Sequence, residues 1–175
     1  MRCCNELVPS TATIGFLWNP NNPVFELTAR DVLAAAPVLG LKVQVLKAST
    51  DREIDAAFAS VAQAGTGALL VANDLFFSNR IERLIELAAH HAIPTMYGFR
   101  EFVVAGGLIS YGTSLIENYR QVGLYAGRIL KGEKPTDLPV VQATKLELII
   151  NLRTAKTLGL EAPAKLLALA DEVIE

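Results

Sequence analysis

The chain has 175 residues, of which 51% are hydrophobic and 19% charged. A chain of this length and apolar content can bury a core, since a domain of this size removes roughly two-thirds of its unfolded surface from water. Sixteen basic and 18 acidic residues give a formal net charge of −2, without a run of Lys and Arg. The composition therefore excludes a disordered chain and argues against nucleic acid as a partner.

The beginning of the sequence carries no targeting signal that we can identify. Residues 1–6 lack the apolar segment of a secretory signal peptide, so the sequence as written predicts a cytoplasmic chain. Cys3 and Cys4 are adjacent and have no histidine or second cysteine pair at zinc-ligand spacing, so we expect them to be tail residues. The apolar runs 67–72 and 146–150 are far shorter than a membrane helix. We expect no metal and no cofactor.

The first half of the chain alternates short apolar strands with helices. Strands are predicted at 13–18, 42–46 and 68–71, and the last is apolar throughout, as in a strand buried on both faces. A helix is predicted over about 23–39, and the pattern Thr50-x-x-Glu53 predicts the start of another. The apolar positions expected to face inward from the first helix are Phe25, Leu27, Val32, Leu33 and Ala36.

The second half continues the alternation. Its predicted elements are a helix at 78–91, a strand at 94–97, a helical turn at 100–104, a strand at 108–111, a helix at 114–131, a strand at 145–150 and short helices at 154–158 and 163–170. Strands that alternate with helices of this length predict right-handed βαβ units. The expected fold class is therefore α/β, a parallel sheet flanked by helices.

Polar and aromatic residues follow the predicted strands. In open α/β sheets ligands bind at the carboxyl ends of the strands, so these residues are candidates for a binding site. The candidate site residues are Asn19, Asn21, Asn22, Asn73, Asp74, Tyr97, Phe99, Arg100 and Tyr111. Such a rim can hydrogen-bond a small zwitterion and stack on an aromatic group. The asparagines have an alternative interpretation as helix caps and turn formers.

Two charged residues in this set need partners. Asp74 directly follows an apolar strand, where a carboxylate is costly unless it is solvated or paired, so a ligand ammonium group is a candidate partner. Arg100 can bind a ligand carboxylate through its fork of donors, or a protein acid such as Glu101.

Catalytic patterns are missing from the sequence. The turn after the first strand is Asn-Pro-Asn-Asn-Pro and not a glycine-rich phosphate loop, and no Gly-x-Ser-x-Gly pattern occurs. We therefore expect no enzyme and no catalytic residues. The alternatives are a flavodoxin-like α/β enzyme or regulatory domain that uses Asp74 or Asp51, and a fragment without a ligand. A cluster of acidic residues at one strand exit would favour the enzyme.

Several segments together resemble a known family. They are 14–23, 107–112 with Tyr119 and Arg120, 129–135 continuing to 138–140, 145–152 with 154–156 and 158–160, and the ending 170–175. These segments are similar to those of ABC transporter substrate-binding proteins, and particularly of the tryptophan/tyrosine-type members with a type I periplasmic-binding fold. The resemblance extends from about Leu7 to the end of the chain.

The resemblance implies a two-lobed, non-enzymatic periplasmic receptor that closes on a small solute and delivers it to an ABC permease. The solute is often an aromatic amino acid or a related compound. The loop 19–22, the pair Asn73 and Asp74, the segment 97–100 and Tyr111 match positions that line the cleft in family members. Members are about twice as long and begin with a signal peptide and a complete first lobe, so this sequence resembles their C-terminal half.

The resemblance also implies a division of the chain. Residues 1–12 would be an N-terminal remnant, 13–98 the ligand-binding second lobe, 99–142 a crossover with a strand and helix of first-lobe type, and 143–175 a return strand with the C-terminal helices. The segment 108–131 would then have lost its sheet. Because its helix carries an apolar face, we expect that face to pack on a second copy of the chain, giving a homo-oligomer.

Overall fold

The structure, a computed structural model, describes residues 6–8, 11–141 and 145–175. These residues contain seven strands and eight α-helices. The strands are β1 (Thr13–Trp18), β2 (Lys42–Lys47), β3 (Ala68–Val71), β4 (Thr95–Tyr97), β5 (Ile109–Thr113), β6 (Leu146–Asn151) and β7 (Glu172–Ile174). The helices are α1 (Phe25–Val38), α2 (Asp51–Gln63), α3 (Leu75–Ser78), α4 (Ile81–His90), α5 (Arg100–Val104), α6 (Leu115–Leu130), α7 (Leu152–Thr157) and α8 (Ala164–Leu167). Cys3 and Cys4 lie outside the described residues.

The strands form one sheet in the order β2-β1-β3-β4-β5-β6-β7. Strands β1 to β5 are mutually parallel, which confirms the predicted α/β class. Strand β6 runs antiparallel to β5, and β7 runs parallel to β6. The reversal was not predicted. Helix α6, which lies between β5 and β6 in the chain, buries none of its residues within the described part.

The expectation that the strand near 108–111 has lost its sheet is wrong. Strand β5 pairs with β4 on one side and with β6 on the other, where Ile109 lies opposite Ile150. Both of these side chains are buried. The two neighbouring strands therefore satisfy the backbone of β5 and cover its apolar residues.

Two apolar clusters fill the two faces of the sheet. On one face Leu17 and Leu69 pack with α2 and α4, through residues that include Phe58 and Leu84. On the other face the cluster includes Ile14, Ala68, Met96, Ile109, Ile150, Ala36, Ala155 and Leu166. Coverage of both faces explains why β3 is apolar at all four positions.

Helix α1 contacts the sheet differently from the prediction. Of its expected inward residues, Ala36 is buried, but Leu27 and Leu33 are 66% and 46% exposed. Val32 and Ala29, which lie four and seven residues before Ala36, pack against the core. A narrow stripe of small side chains therefore faces the sheet, because Leu27 falls near the opposite side of the helix.

Helix α6 has the least packed surface. None of its sixteen residues is buried against the described part of the chain, and Ile116, Tyr119 and Val122 are among its exposed apolar side chains. Neither α6 nor any other described helix has the length and apolar character needed to cross a membrane.

Candidate functional site

The sheet order places a switch point at β1. Strand β1 lies between β2 and β3. The chain therefore passes from β1 to β2 on one side and then crosses to β3 on the other side of β1. The loops after β1 and β3 therefore diverge at the carboxyl edge of the sheet, where open α/β folds bind their ligands. These two loops carry the asparagines and the aspartate predicted from the sequence.

Asp74 joins the two loops through hydrogen bonds. Its Oδ1 accepts from Asn19 Nδ2 at 3.1 Å and from the backbone N–H of Phe76 at 2.7 Å. Its Oδ2 accepts from Asn22 Nδ2 at 2.6 Å. The bond to Phe76 caps the N-terminus of α3. Asp74 is therefore a buried acceptor that fixes the β1 loop to the β3 loop.

The two asparagines use both ends of their amides in this network. Asn19 Oδ1 accepts from the backbone N–H of Asn21 at 3.0 Å, and Asn22 Oδ1 accepts from that of Val24 at 3.1 Å. These bonds are the local turns that asparagine commonly forms with residues two positions later. The cap-and-turn interpretation therefore describes what Asn19 and Asn22 do in the structure.

The hydrogen bonds also revise the argument about Asp74. A ligand ammonium group was its candidate partner because a lone buried carboxylate is costly. The structure supplies three donors from the protein instead, and the side chain lies among Asn19, Asn22 and α3. Asp74 thus needs no ligand charge to be stable where it is.

A pocket of about 360 Å³ opens beside this network. Its volume falls in the lower part of the range typical of small-molecule sites. The pocket is lined by Phe16, Asn22, Val24, Thr28, Val32, Leu70, Val71, Ala72, Asn73, Tyr97, Gly98 and Tyr111. The structure therefore brings together four of the predicted site residues, Asn22, Asn73, Tyr97 and Tyr111, contributed by four different segments.

Close backbone approach shapes one wall of the pocket. A Cβ atom on Gly98 would overlap the Asn73 side chain, and a Cβ on Gly112 would overlap the backbone oxygen of Gly98. Glycine at both positions lets the ends of β3, β4 and β5 converge. The sequence analysis did not select Gly98, although a glycine immediately after a predicted strand is a signal for such an approach.

Tyr97 lines the pocket, and its ring packs in the core. The ring stacks on Phe102 with 4.5 Å between centroids and an angle of 11° between planes. The side chain is only 1% exposed, and burial raises the pKa of the Tyr97 phenol. Tyr97 therefore stays neutral and contributes a fixed surface to the pocket.

Five predicted residues lie outside the pocket lining. Asn19 and Asp74 form the hydrogen-bond network beside it. Asn21 is exposed in the β1 loop, and Phe99 packs against the core. Arg100 forms a bidentate ion pair with Glu172, with bonds of 2.6 to 3.0 Å. The bond to Glu172 raises the pKa of Arg100. Of the two partners considered for Arg100, the structure thus supplies a protein acid.

Several lining residues were missed because they are apolar or lie within a helix. Phe16 and Leu70 reach the pocket from β1 and β3, and Thr28 and Val32 reach it from α1. Their polarity gives no functional signal, and only the packing of α1 on the sheet reveals their position.

The alternative of a flavodoxin-like enzyme or regulatory domain would be favoured by a cluster of acidic residues at one strand exit. Asp51 pairs with Arg80, a bond that lowers the pKa of Asp51, and lies at the surface between α2 and α4. Among the described residues no three metal-ligating side chains come together. The acidic cluster that would favour an enzyme is thus not found in the part of the chain that the structure describes.

Comparison with known proteins identifies the family to which the chain belongs. The sequence model described as "ABC transporter substrate binding protein" matches residues 2–174. The chain belongs to the ABC transporter substrate-binding protein family. The resemblance seen in the sequence is thereby confirmed. No curated protein sequence matches this family member.

Solved structures of similar proteins share its fold. A conserved domain protein from Vibrio cholerae is 24% identical with a TM-score of 0.87, and the match covers 97% of this chain and 57% of that one. An ABC domain from Streptococcus pneumonia, solved in complex with L-Trp, is 24% identical with a TM-score of 0.89, and the match covers 99% and 60%. A ligand-free, open substrate binding protein with adhesive properties from Clostridium difficile is 22% identical with a TM-score of 0.70, and the match covers 99% and 58%.

At identities of 22% to 24% these likenesses establish the fold. The chain also spans only about three-fifths of the length of these structures, as the coverage of 57% to 60% shows.

Proposed function

We propose that the chain is a solute-binding protein of an ABC-type uptake system and acts outside the cytoplasmic membrane. In this proposal a small solute, such as an aromatic amino acid or a related compound, binds in the pocket at the carboxyl edge of the sheet. An ABC permease is the partner that receives the solute. The observation that carries the proposal is the pocket's place at the switch point in a member of a substrate-binding family.

The predicted site residues take three roles in this proposal. Asn22, Asn73, Tyr97 and Tyr111 contact the solute, because they line the pocket. Asn19, Asn21 and Asp74 hold the β1 loop in place through their hydrogen bonds. Phe99 and Arg100 belong to the adjoining wall, where the ion pair with Glu172 fixes the start of α5.

A thermal-shift screen against amino acids, aromatic acids and their uncharged amides tests this function. A solute at 100 times its dissociation constant should stabilise the protein by about 2.7 kcal/mol. Replacing Tyr111, which is 43% exposed in the pocket wall, with alanine should abolish the shift. Tyr119→Ala is the matched control, because Tyr119 is exposed on α6 and does not line the pocket. A shift that survives Tyr111→Ala would place the solute elsewhere.

We also propose that the apolar face of α6 is covered by a second copy of the chain. The helix is self-complementary when two copies lie antiparallel about Gly123. Ile116 of one copy then faces Leu130 of the other, and Glu117 approaches Arg128. Gly123 has no atom within 4 Å of an added Cβ, so close approach is open there.

Light scattering after size exclusion tests this association. The parent chain should elute as a dimer, and Val122→Arg should elute as a monomer because it puts a charge in the shared face. Leu169→Arg is the control, since Leu169 is comparably exposed but lies outside α6. A monomeric parent chain that remains well folded would contradict the proposal.

A further inference from the structure

The pocket beside Asp74 is lined by uncharged residues. None of its twelve lining residues carries a charge, and its polar side chains are Asn22, Thr28, Asn73, Tyr97 and Tyr111. Burial raises the pKa of Tyr97, so that phenol is neutral as well. Within the described residues, the pocket therefore presents only neutral hydrogen-bonding groups and apolar surface to a solute.

Two charged side chains at the strand exits beside the pocket, Asp74 and Arg100, are engaged with the protein. The Asp74 carboxylate accepts from Asn19, Asn22 and the Phe76 N–H at 2.6 to 3.1 Å. Arg100 donates to both carboxylate oxygens of Glu172 at 2.6 to 3.0 Å. To bind a solute charge, either group would have to give up part of these contacts.

Among the polar side chains of the pocket lining, Asn73 is the amide that remains available, beside the hydroxyls of Thr28 and Tyr111. Its neighbours Asn19 and Asn22 each use both ends of the amide within the protein. Among the described residues the Asn73 amide makes no hydrogen bond, and its side chain is exposed and rests against Gly98. An amide offers a planar pair of one donor and one acceptor.

We propose that this pocket recognises an uncharged planar group of the solute, of the carboxamide or lactam type. Asn73 pairs its donor and acceptor with those of the solute, and the apolar surface of Phe16, Val32 and Leu70 packs against the attached ring. An ammonium or carboxylate group in the same place would lose hydration without gaining an opposite charge. This inference rests on the proposed function and narrows its solute: of the aromatic amino acids and related compounds named there, it selects the related compounds with an uncharged amide.

Four indole compounds whose side chains carry different charges test the proposal by titration calorimetry. They are indole-3-acetamide, which is uncharged, tryptamine, which is a cation, indole-3-acetate, which is an anion, and L-tryptophan, which is a zwitterion. The amide should bind at least tenfold more tightly than each of the other three. Tighter binding of any charged compound than of the amide would overturn this inference and leave the proposed function standing. Binding of none of the four would overturn both.

A pair of variants locates the recognition. Asn73→Leu is close in shape and removes both hydrogen-bonding groups, so it should weaken binding of indole-3-acetamide about tenfold. Asn79→Leu is the matched control, because Asn79 is an exposed asparagine at the end of α3 that does not line the pocket. Unfolding temperatures of both variants separate lost recognition from lost fold. An unchanged affinity in a folded Asn73→Leu variant would overturn the assignment of Asn73.

Discussion

Helices α2 and α6 begin in the same way and are packed in opposite ways. Each starts at a hydroxyl cap, Thr50 or Ser114, that accepts from the N–H of a glutamate three residues later. Helix α2 buries four side chains, whereas α6 buries none within the described part of the chain. Caps and periodicity therefore define both helices, and the neighbouring surface alone decides which of them is covered.

The largest expected effect comes from the buried side of this comparison. Phe58→Ala removes a fully buried ring from the α2 face and should lower the free energy of unfolding by about 3–5 kcal/mol. Ile116→Ala, on the open face of α6, should change it by less than about 0.5 kcal/mol in dilute protein. Denaturant unfolding followed by circular dichroism measures both. Equal losses would mean that α6 is packed as firmly as α2.

A smaller loss is expected from the polar network beneath the pocket. Asp74→Ala leaves the buried Asn19 amide and the Phe76 N–H without their acceptor, so unfolding should become easier by roughly 1–3 kcal/mol. The exposed pair of Glu117 and Arg120 on α6, at 3.7 Å, should contribute less than about 1 kcal/mol. Denaturant midpoints of Asp74→Ala and Glu117→Gln compare the two regions, and a larger effect at Glu117 would contradict the account.

The two helix caps should differ in what they stabilise. Thr50→Ala should lower the free energy of unfolding by about 1 kcal/mol, because α2 folds together with the core. Ser114→Ala should lower helical content at 222 nm with little change in the unfolding midpoint, because α6 can fray without exposing buried surface. A clear midpoint shift in Ser114→Ala would show that α6 is coupled to the core.

The smallest effect concerns acid pH at the start of α2. The backbone and hydroxyl groups of Ser49, together with Thr50, lower the pKa of Glu53, and Arg80 lowers the pKa of Asp51. The folded state thus binds these protons less tightly than the unfolded state, so their stabilisation is present above the unfolded pKa values and is lost as the pH falls through the folded ones. Melting temperatures should fall below about pH 4, in the range where such carboxylates titrate, and less so in Glu53→Gln. An identical pH profile in that variant would remove Glu53 from the explanation.

Local patterns were enough to predict most of the fold. The capping box at Thr50 and the apolar run 68–71 predicted α2 and β3, which the structure confirms. The short β7 and α3 were missed because three or four residues carry too little periodicity. The antiparallel pairing of β6 with β5 joins residues far apart in sequence, such as Ile109 and Ile150, and local patterns do not encode it.

The candidate site was predicted in position but not in all its contacts. Strand exits located Asn22, Asn73 and Tyr111, because parallel strands end at one edge of the sheet. The bond from Asn22 to Asp74 spans 52 positions and that from Arg100 to Glu172 spans 72, so a single sequence gives no sign of either. Those two contacts give Asp74 and Arg100 protein partners, and their part in solute binding stays a prediction.

The most direct test of the account is a titration of the 15N-labelled protein with indole-3-acetamide, followed by amide NMR spectra. The account predicts that the backbone amides of Asn73, Gly98 and Tyr111 and the side-chain amide of Asn73 shift together along one saturable curve. Shifts confined to the far side of the sheet, or none at solute concentrations in the millimolar range, would contradict a solute pocket at the carboxyl edge.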